Sequence, residues 1–282
     1  LIYSLKALNY TNIPDKISRE NVERLYGKTL KTSVSRLEQY RSCPFSYYLK
    51  YGLNLSEKDT LKVDSLDTGT FMHDTIDTFF NRIRERSIRI KDLNEDEMNA
   101  IIDDIINEKL GLNKNFIFSA TPKYKVLSER LKRVVKRSMK YIVESLKYSD
   151  FEVLGNEIEF KEGKRYSPIT LDLDDGRKVE ITGKIDRIDI AQNGNSKYIR
   201  IIDYKSSYKN IELNSVYVGL QIQLLTYLDA VCKEEQVEPA GVLYFNLIDP
   251  VIKSEKNMTE EEIENEIRKK FKMQGLVLAD VN

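Results

Sequence analysis

KVEITGKIDRIDI (residues 178–190) and KYIRIIDYK (residues 197–205) are separated by Asn193-Gly194-Asn195, a strong two-strand turn signal. In the first segment Val179, Ile181 and Ile185 alternate with polar residues. In the second, Ile199, Ile201 and Ile202 lead into Asp203-Tyr204-Lys205. Period two predicts an antiparallel strand pair. Asp203 and Lys205 then leave one face, about 7 Å apart at the backbone. Asp186 sits on the opposite parity from Val179, Ile181 and Ile185, so adjacent strands present two carboxylates to one spot. Such a pair repels unless a cation lies between them, and hard oxygen ligands suit Mg2+ or Mn2+. A surface salt bridge is the ordinary alternative for a lone Asp-x-Lys. The apolar run before it favours a site at the end of a sheet.

Working outward, Phe151 to Phe160 and Tyr166 to Leu173 are two earlier strands, with Asp174-Asp175-Gly176 as a turn, giving an antiparallel meander. A helix over about 215 to 233 precedes a strand from Gly241 to Ile248, which predicts parallel pairing with the strand ending at Lys205. A Thr259-x-x-Glu262 capping box opens a last helix. Upstream, the spacing predicts helices over 67–86, 95–110 and 122–147, with His73 on the first helix's apolar stripe. Ser35 and Glu38 form a capping box before Cys43-Pro44. Residues 1–30 read as a linker, 31–148 as a helical part and 149–282 as the sheet-bearing core.

The chain has 282 residues, 41% apolar and 32% charged, with 45 basic and 45 acidic side chains. That excludes a disordered tail or a collagen-like fibre. Two cysteines, Cys43 and Cys232, exclude a disulfide framework and fit a reducing cytosol. No run approaches the roughly 18 apolar residues of a membrane span. A net charge of zero does not exclude local segregation, since residues 122–140 carry eight basic residues against Glu129, a net +7. Lys132, Arg133, Lys136 and Arg137 in that window are candidates for tracking DNA phosphates, with a solvated basic helix as the alternative. Tyr47, Tyr48 and Tyr51 could stack on bases or pack beside Cys43.

The order Gly183-Lys-Ile-Asp186-Arg-Ile-Asp, Ile202-Asp203-Tyr-Lys205-Ser and Gln223-Leu-Leu-Thr-Tyr227 resembles the RecB-like branch of PD-(D/E)xK nucleases. Upstream, Cys43-Pro-Phe and Gly69-Thr-Phe-Met-His73 resemble the nuclease domain of AddB-type subunits of bacterial helicase-nucleases. The resemblance implies an α+β fold, a restriction-endonuclease-like αβββαβ core with a mixed sheet and an N-terminal helical region. It implies a Mg2+- or Mn2+-dependent deoxyribonuclease, with His73, Asp186, Asp203 and the carbonyl of Tyr204 as metal ligands. Lys205 would stabilise charge on the phosphate, and Gln223 and Tyr227 would brace Lys205 or contact a phosphate. Glu157 and Glu159 are read as exposed strand residues with a lesser metal role.

Implied partners are single-stranded DNA and an AddA-type subunit in a heterodimer in the bacterial cytoplasm, with no membrane. A 4Fe-4S cluster is expected in the full-length protein, with Cys43 as one ligand and three cysteines near the C-terminus. Those three are missing here, so the fragment is expected to hold no cluster. Rival readings are a CRISPR-associated RecB-like nuclease, a non-catalytic DNA-binding or docking scaffold, and a hydrolase of small phosphate esters. The last lacks a Gly-rich phosphate cradle.

Overall fold

The computed structural model describes residues 16–56, 65–111, 122–253 and 258–279. Seven strands form one mixed sheet: β1 (Thr29–Ser33), β2 (Glu152–Phe160), β3 (Ile169–Asp172), β4 (Lys178–Asn193), β5 (Ser196–Lys205), β6 (Glu238–Asn246) and β7 (Gln274–Val277). The helices are α1 (Arg19–Tyr26), α2 (Val34–Ser42), α3 (Pro44–Tyr47), α4 (Ser65–Glu85), α5 (Glu95–Gly111), α6 (Pro122–Lys147), α7 (Leu213–Tyr217), α8 (Gln223–Glu235) and α9 (Glu260–Lys270). None among the described residues is long and apolar enough to cross a membrane.

The long strand β4 organises the sheet. It pairs antiparallel with β5 through the Asn193 to Ser196 turn, and β5 pairs parallel with β6 across α8, as the alternation and crossover spacing predict. The meander differs from expectation, because β3 does not lie between β2 and β4. Instead β2 pairs with β4 over residues 183–190 and β3 with β4 over 178–181, so the two earlier strands run in line along one long strand. Sixteen residues are enough for β4 to take two successive partners. The stretch read as a linker up to residue 30 contains α1 and the start of β1, which pairs parallel with β4. Residues 1–15 of that stretch lie outside the described residues.

Apolar layers cover both faces. Ile202, Tyr204, Leu243 and Phe245 join a core with Ile76, Phe80, Ile105 and Ile142 from α4, α5 and α6. The alternate residues Ile199, Ile201, Val242 and Tyr244 pack with Leu224, Leu228 and Val231 of α8 and with Val34. Burial on both faces explains why β5 reads as a nearly unbroken apolar run.

Two local readings are corrected. Ser33, one residue before α2, accepts the Arg36 N–H, so it caps this helix in place of Ser35. The predicted helix 215–233 is two helices, because Gly219 takes φ of 78° and ends the first of them. Cys43 ends α2 and begins α3, as Cys43-Pro44 suggests, and the Thr259 to Glu262 capping box is present. Tyr47 is buried and its ring meets Tyr26, Tyr40 and Tyr51, so this tyrosine belongs to a packed cluster.

Candidate metal centre

In the β4–β5 ladder Arg187 pairs with Ile202, and one step further the same register sets Asp186 opposite Asp203. Asp203 and Lys205 share the parity of Ile199 and Ile201 and leave β5 on the α8 side. His73 arrives from α4, whose apolar residues Phe71, Met72, Ile76 and Phe80 fix it in the other layer. Gly69 lets that helix approach, since a Cβ there would lie 3.3 Å from Ser206 Oγ just past Lys205. The two layers meet at the ends of the strands.

His73 Nδ1 lies 3.3 Å from Asp186 Oδ2, and the His73 ring meets Tyr204 edge-on at 5.9 Å. The backbone N–H of Tyr204 donates to Asp186 Oδ2 at 2.8 Å, which ties the two carboxylate strands together. Lys205 Nζ is 2.5 Å from Asp203 Oδ2. Burial works against the Lys205 ammonium, but the Asp203 carboxylate outweighs it and raises the Lys205 pKa.

The third member near His73 and Asp186 is Glu157. Ligand atoms of these three residues all lie within 4.8 Å of one another. Ile158 pairs with Ile185 and Asn156 with Arg187, so Glu157 stands opposite Asp186 on β2. Its φ is 50°, a left-handed conformation that non-glycine residues rarely take inside a strand. Alternation therefore misassigns Glu157, whereas Glu159 is a surface residue paired with Lys164. The one sequence signal for Glu157 is a glutamate in a strand beside the Asp186 strand. Lys184 of β4 forms an ion pair with Glu157.

The donor set suits a hard divalent ion: carboxylates from two neighbouring strands, an imidazole nitrogen from a helix, and a further buried carboxylate on β5. The cost of leaving these acids together is visible at Asp203. Burial, then the neighbouring Asp186 carboxylate, push its pKa up to about 6 from 3.8. Folded Asp203 therefore keeps a proton that the unfolded chain has released. In chelator, the Asp203 contribution to stability falls as pH rises from about 4 to about 6. We expect Asp203→Asn to remove that fall, a difference on the order of 2–3 kcal/mol between the two proteins' pH profiles at neutral pH. Urea unfolding at several pH values reads this, and parallel profiles would count against the buried, repelled carboxylate.

Tyr227 is buried, stacks on Phe160 at 5.3 Å, and sets its hydroxyl over Gly183, where a Cβ would lie 2.1 Å away. Gln223 reaches the Tyr227 hydroxyl from one turn earlier. The backbone N–H groups of Ile222 and Gln223 donate to Glu38 at 2.7 and 2.9 Å, so Glu38 caps α8 rather than its own helix. Arg187 lies under the site, fully buried, and donates to Tyr204 and Asp189. Nothing in the sequence pattern marks it. Cys43 is exposed, and Cys232 is half-buried with its thiol pushed up to about 11 by burial.

The basic window lies along α6. Lys132 and Lys136 reach Asp103 at 2.9 and 2.7 Å, while Arg133 and Arg137 reach Asp249 at 2.9 and 3.5 Å. Lys140 pairs with Glu264 at 3.1 Å. Lys123 lies outside the described side chains. These cations line a cleft of about 560 Å³, together with Glu95, Glu129 and Glu264. Its mixed charge contrasts with the acidic cluster at the strand ends.

Residues 31–278 match the PD-(D/E)XK nuclease superfamily. The chain is 43% identical over 281 residues to an ATP-dependent helicase/deoxyribonuclease subunit of Clostridium acetobutylicum, covering 98% of this chain and 24% of that protein. The Clostridium novyi protein of the same name is 42% identical over 280 residues, covering 97% and 25%, respectively. The Acetivibrio thermocellus protein, also so named, is 42% identical over 281 residues, covering 98% and 24%. The chain thus spans about a quarter of the length of these curated relatives. A match running from β1 to past β7, across every strand that supports the acidic cluster, places the chain in the PD-(D/E)XK nuclease superfamily.

Proposed function

We propose that this chain is the nuclease domain of a helicase-nuclease subunit and hydrolyses DNA phosphodiester bonds with Mg2+ or Mn2+. The observation that carries the reading is the approach of His73, Glu157 and Asp186 ligand atoms to within 4.8 Å of one another, opposite Asp203 and Lys205. His73, Glu157, Asp186 and Asp203 would hold the ion, with the Tyr204 carbonyl as a further oxygen. When bound, a divalent cation makes water more acidic and withdraws charge from a phosphate. Lys205, held beside Asp203, would orient the attacking water and stabilise charge on the phosphate. Gln223 and Tyr227 keep α8 packed against Gly183 of β4 behind them.

The relatives are named as a subunit of a helicase/deoxyribonuclease, which supports DNA as substrate and a companion subunit. We propose further that this companion is of AddA type and that the action is single-strand exonuclease cleavage in the bacterial cytoplasm. Cys43, exposed at the start of α3, is accessible as one thiolate of an iron-sulfur cluster.

The test uses end-labelled single- and double-stranded DNA with Mg2+, Mn2+ or EDTA. Cleavage is expected with either ion and absent in EDTA. Lys205→Ala should lower the rate by about a hundredfold or more while Mn2+ still binds, as expected for lost charge stabilisation. Equal cleavage in EDTA, or an unchanged rate in the variant, would overturn the assignment. DNA binding without any cleavage would make the chain a scaffold.

A further inference from the structure

The loop from Ser206 to Ile222 joins two site elements, the end of β5 and the start of α8. It is firmly tied. Lys209 N–H donates to Asn246 at 2.8 Å, and the Gln221 side chain accepts from Glu212 N–H at 2.9 Å and donates to the Asn210 carbonyl at 2.7 Å. Arg41 on α2 donates to the Val218 carbonyl at 2.7 Å, and its aliphatic stem lies against Gly219. Yet this loop exposes two aromatic rings, Tyr217 at 93% and Tyr208 at 68%. A tied backbone thus holds two rings out in water, where their faces are free to stack on a partner's rings.

Charge on this face differs from that on α6. The α6 cations share Asp103, Asp249 and Glu264 as ion-pair partners. Arg41 and Lys209 form no ion pair with a carboxylate among the described residues, and Arg36 on the same helix is spent only on the Tyr51 ring. Exposed rings beside unmatched cations have the chemistry of a single-strand platform, where bases stack on aromatics and cations follow the backbone. A duplex keeps its bases stacked on each other and has none to offer.

We infer that Tyr217 and Tyr208 stack unpaired bases of a DNA strand whose phosphates meet Arg41 and Lys209, and that this lane feeds the strand to the acidic cluster. The inference rests on the nuclease reading, and its test separates the two. The chain has no tryptophan, so Tyr217→Trp introduces a single indole at a solvent-exposed position. In EDTA, an oligothymidylate of about 20 nucleotides, longer than one single-strand binding site, should quench its emission to saturation, and the matched duplex should not. Tyr217→Ala should weaken oligothymidylate binding about tenfold. Arg41→Ala and Lys209→Ala should each lower the slope of log affinity against log salt by about 0.7. Circular dichroism melts confirm that the variants are folded.

No quenching together with unchanged affinity in Tyr217→Ala would overturn the lane, whether or not the protein cleaves DNA. Equal quenching by duplex would also overturn it, as would binding of a second copy or another protein through Tyr217 in place of DNA. A chain that binds the strand in this way but cuts nothing with Mg2+ or Mn2+ would sink the nuclease reading alone.

Discussion

Asp186→Ala is expected to abolish specific divalent-cation binding and to lower DNA cleavage by about a thousandfold or more, equivalent to about 4 kcal/mol of transition-state stabilisation. Asp186 occupies the centre of the cluster. Its Oδ2 is 3.3 Å from His73 Nδ1 and accepts the Tyr204 N–H at 2.8 Å, and its strand neighbours are Glu157 on one side and Asp203 on the other. Removing it separates the histidine from the Asp203 side of the site. The fold should survive, because the loss of one hydrogen bond to a backbone N–H is offset by relief of repulsion at Asp203. Asp186→Asn is the sharper control, since its amide oxygen can still accept from Tyr204 but carries no charge. We expect it to melt like the parent in EDTA and to be as inactive as the alanine variant. Mn2+ titration and single-turnover cleavage on the same preparations decide this. Tight Mn2+ binding by a folded Asp186→Ala protein would move the metal elsewhere.

That site is partly legible from sequence for a physical reason. Asp203 and Lys205 share one parity on β5, so alternation gives them one face, but Asp186 is brought opposite Asp203 by the β4–β5 register rather than by parity, because Ile185 and Ile188 of β4, three apart, pack in the same layer. Glu157 escapes because a left-handed residue inside β2 reverses the direction that alternation assigns to it. The strand β1 is five residues long and exists by virtue of pairing with β4 some 150 positions later, as Leu30 meets Val179. No local pattern carries that information. The ion-pair partners of the net +7 window are equally hidden from local pattern, for Asp103 and Asp249 lie elsewhere in the chain. Helix α8 shows the opposite case. Its stripe of Leu224, Leu228 and Val231 is legible and buried, while the cap that starts it, Glu38, comes from α2.

Arg187→Ala should give the largest loss of stability of any substitution considered, about 3–5 kcal/mol, because it removes one member of a buried charge network. Arg187 has no solvent exposure. Its Nη1 donates to Tyr204 Oη at 3.0 Å and its Nη2 to Asp189 Oδ2 at 3.1 Å. Its Nε approaches Asp189 Oδ1 to 2.9 Å but is too poorly aligned for a hydrogen bond, so that contact is Coulombic. Phe80 of α4 and Tyr204 of β5 each present a ring 5.8 Å from the guanidinium, which thus fills the space between the helix that carries His73 and the strand that carries Asp203. Alanine would leave a cavity there and a buried Asp189 held by Arg200 alone, at 2.9 Å. Arg187→Met keeps most of the volume and separates the two causes. If charge dominates, methionine should be nearly as harmful as alanine; if the cavity dominates, it should recover about half the loss. Urea midpoints at constant m-value give both numbers. A loss below about 1 kcal/mol in Arg187→Ala, the size of one ordinary hydrogen bond, would show that Arg200 alone satisfies Asp189, and that packing between α4 and the sheet does not depend on this arginine.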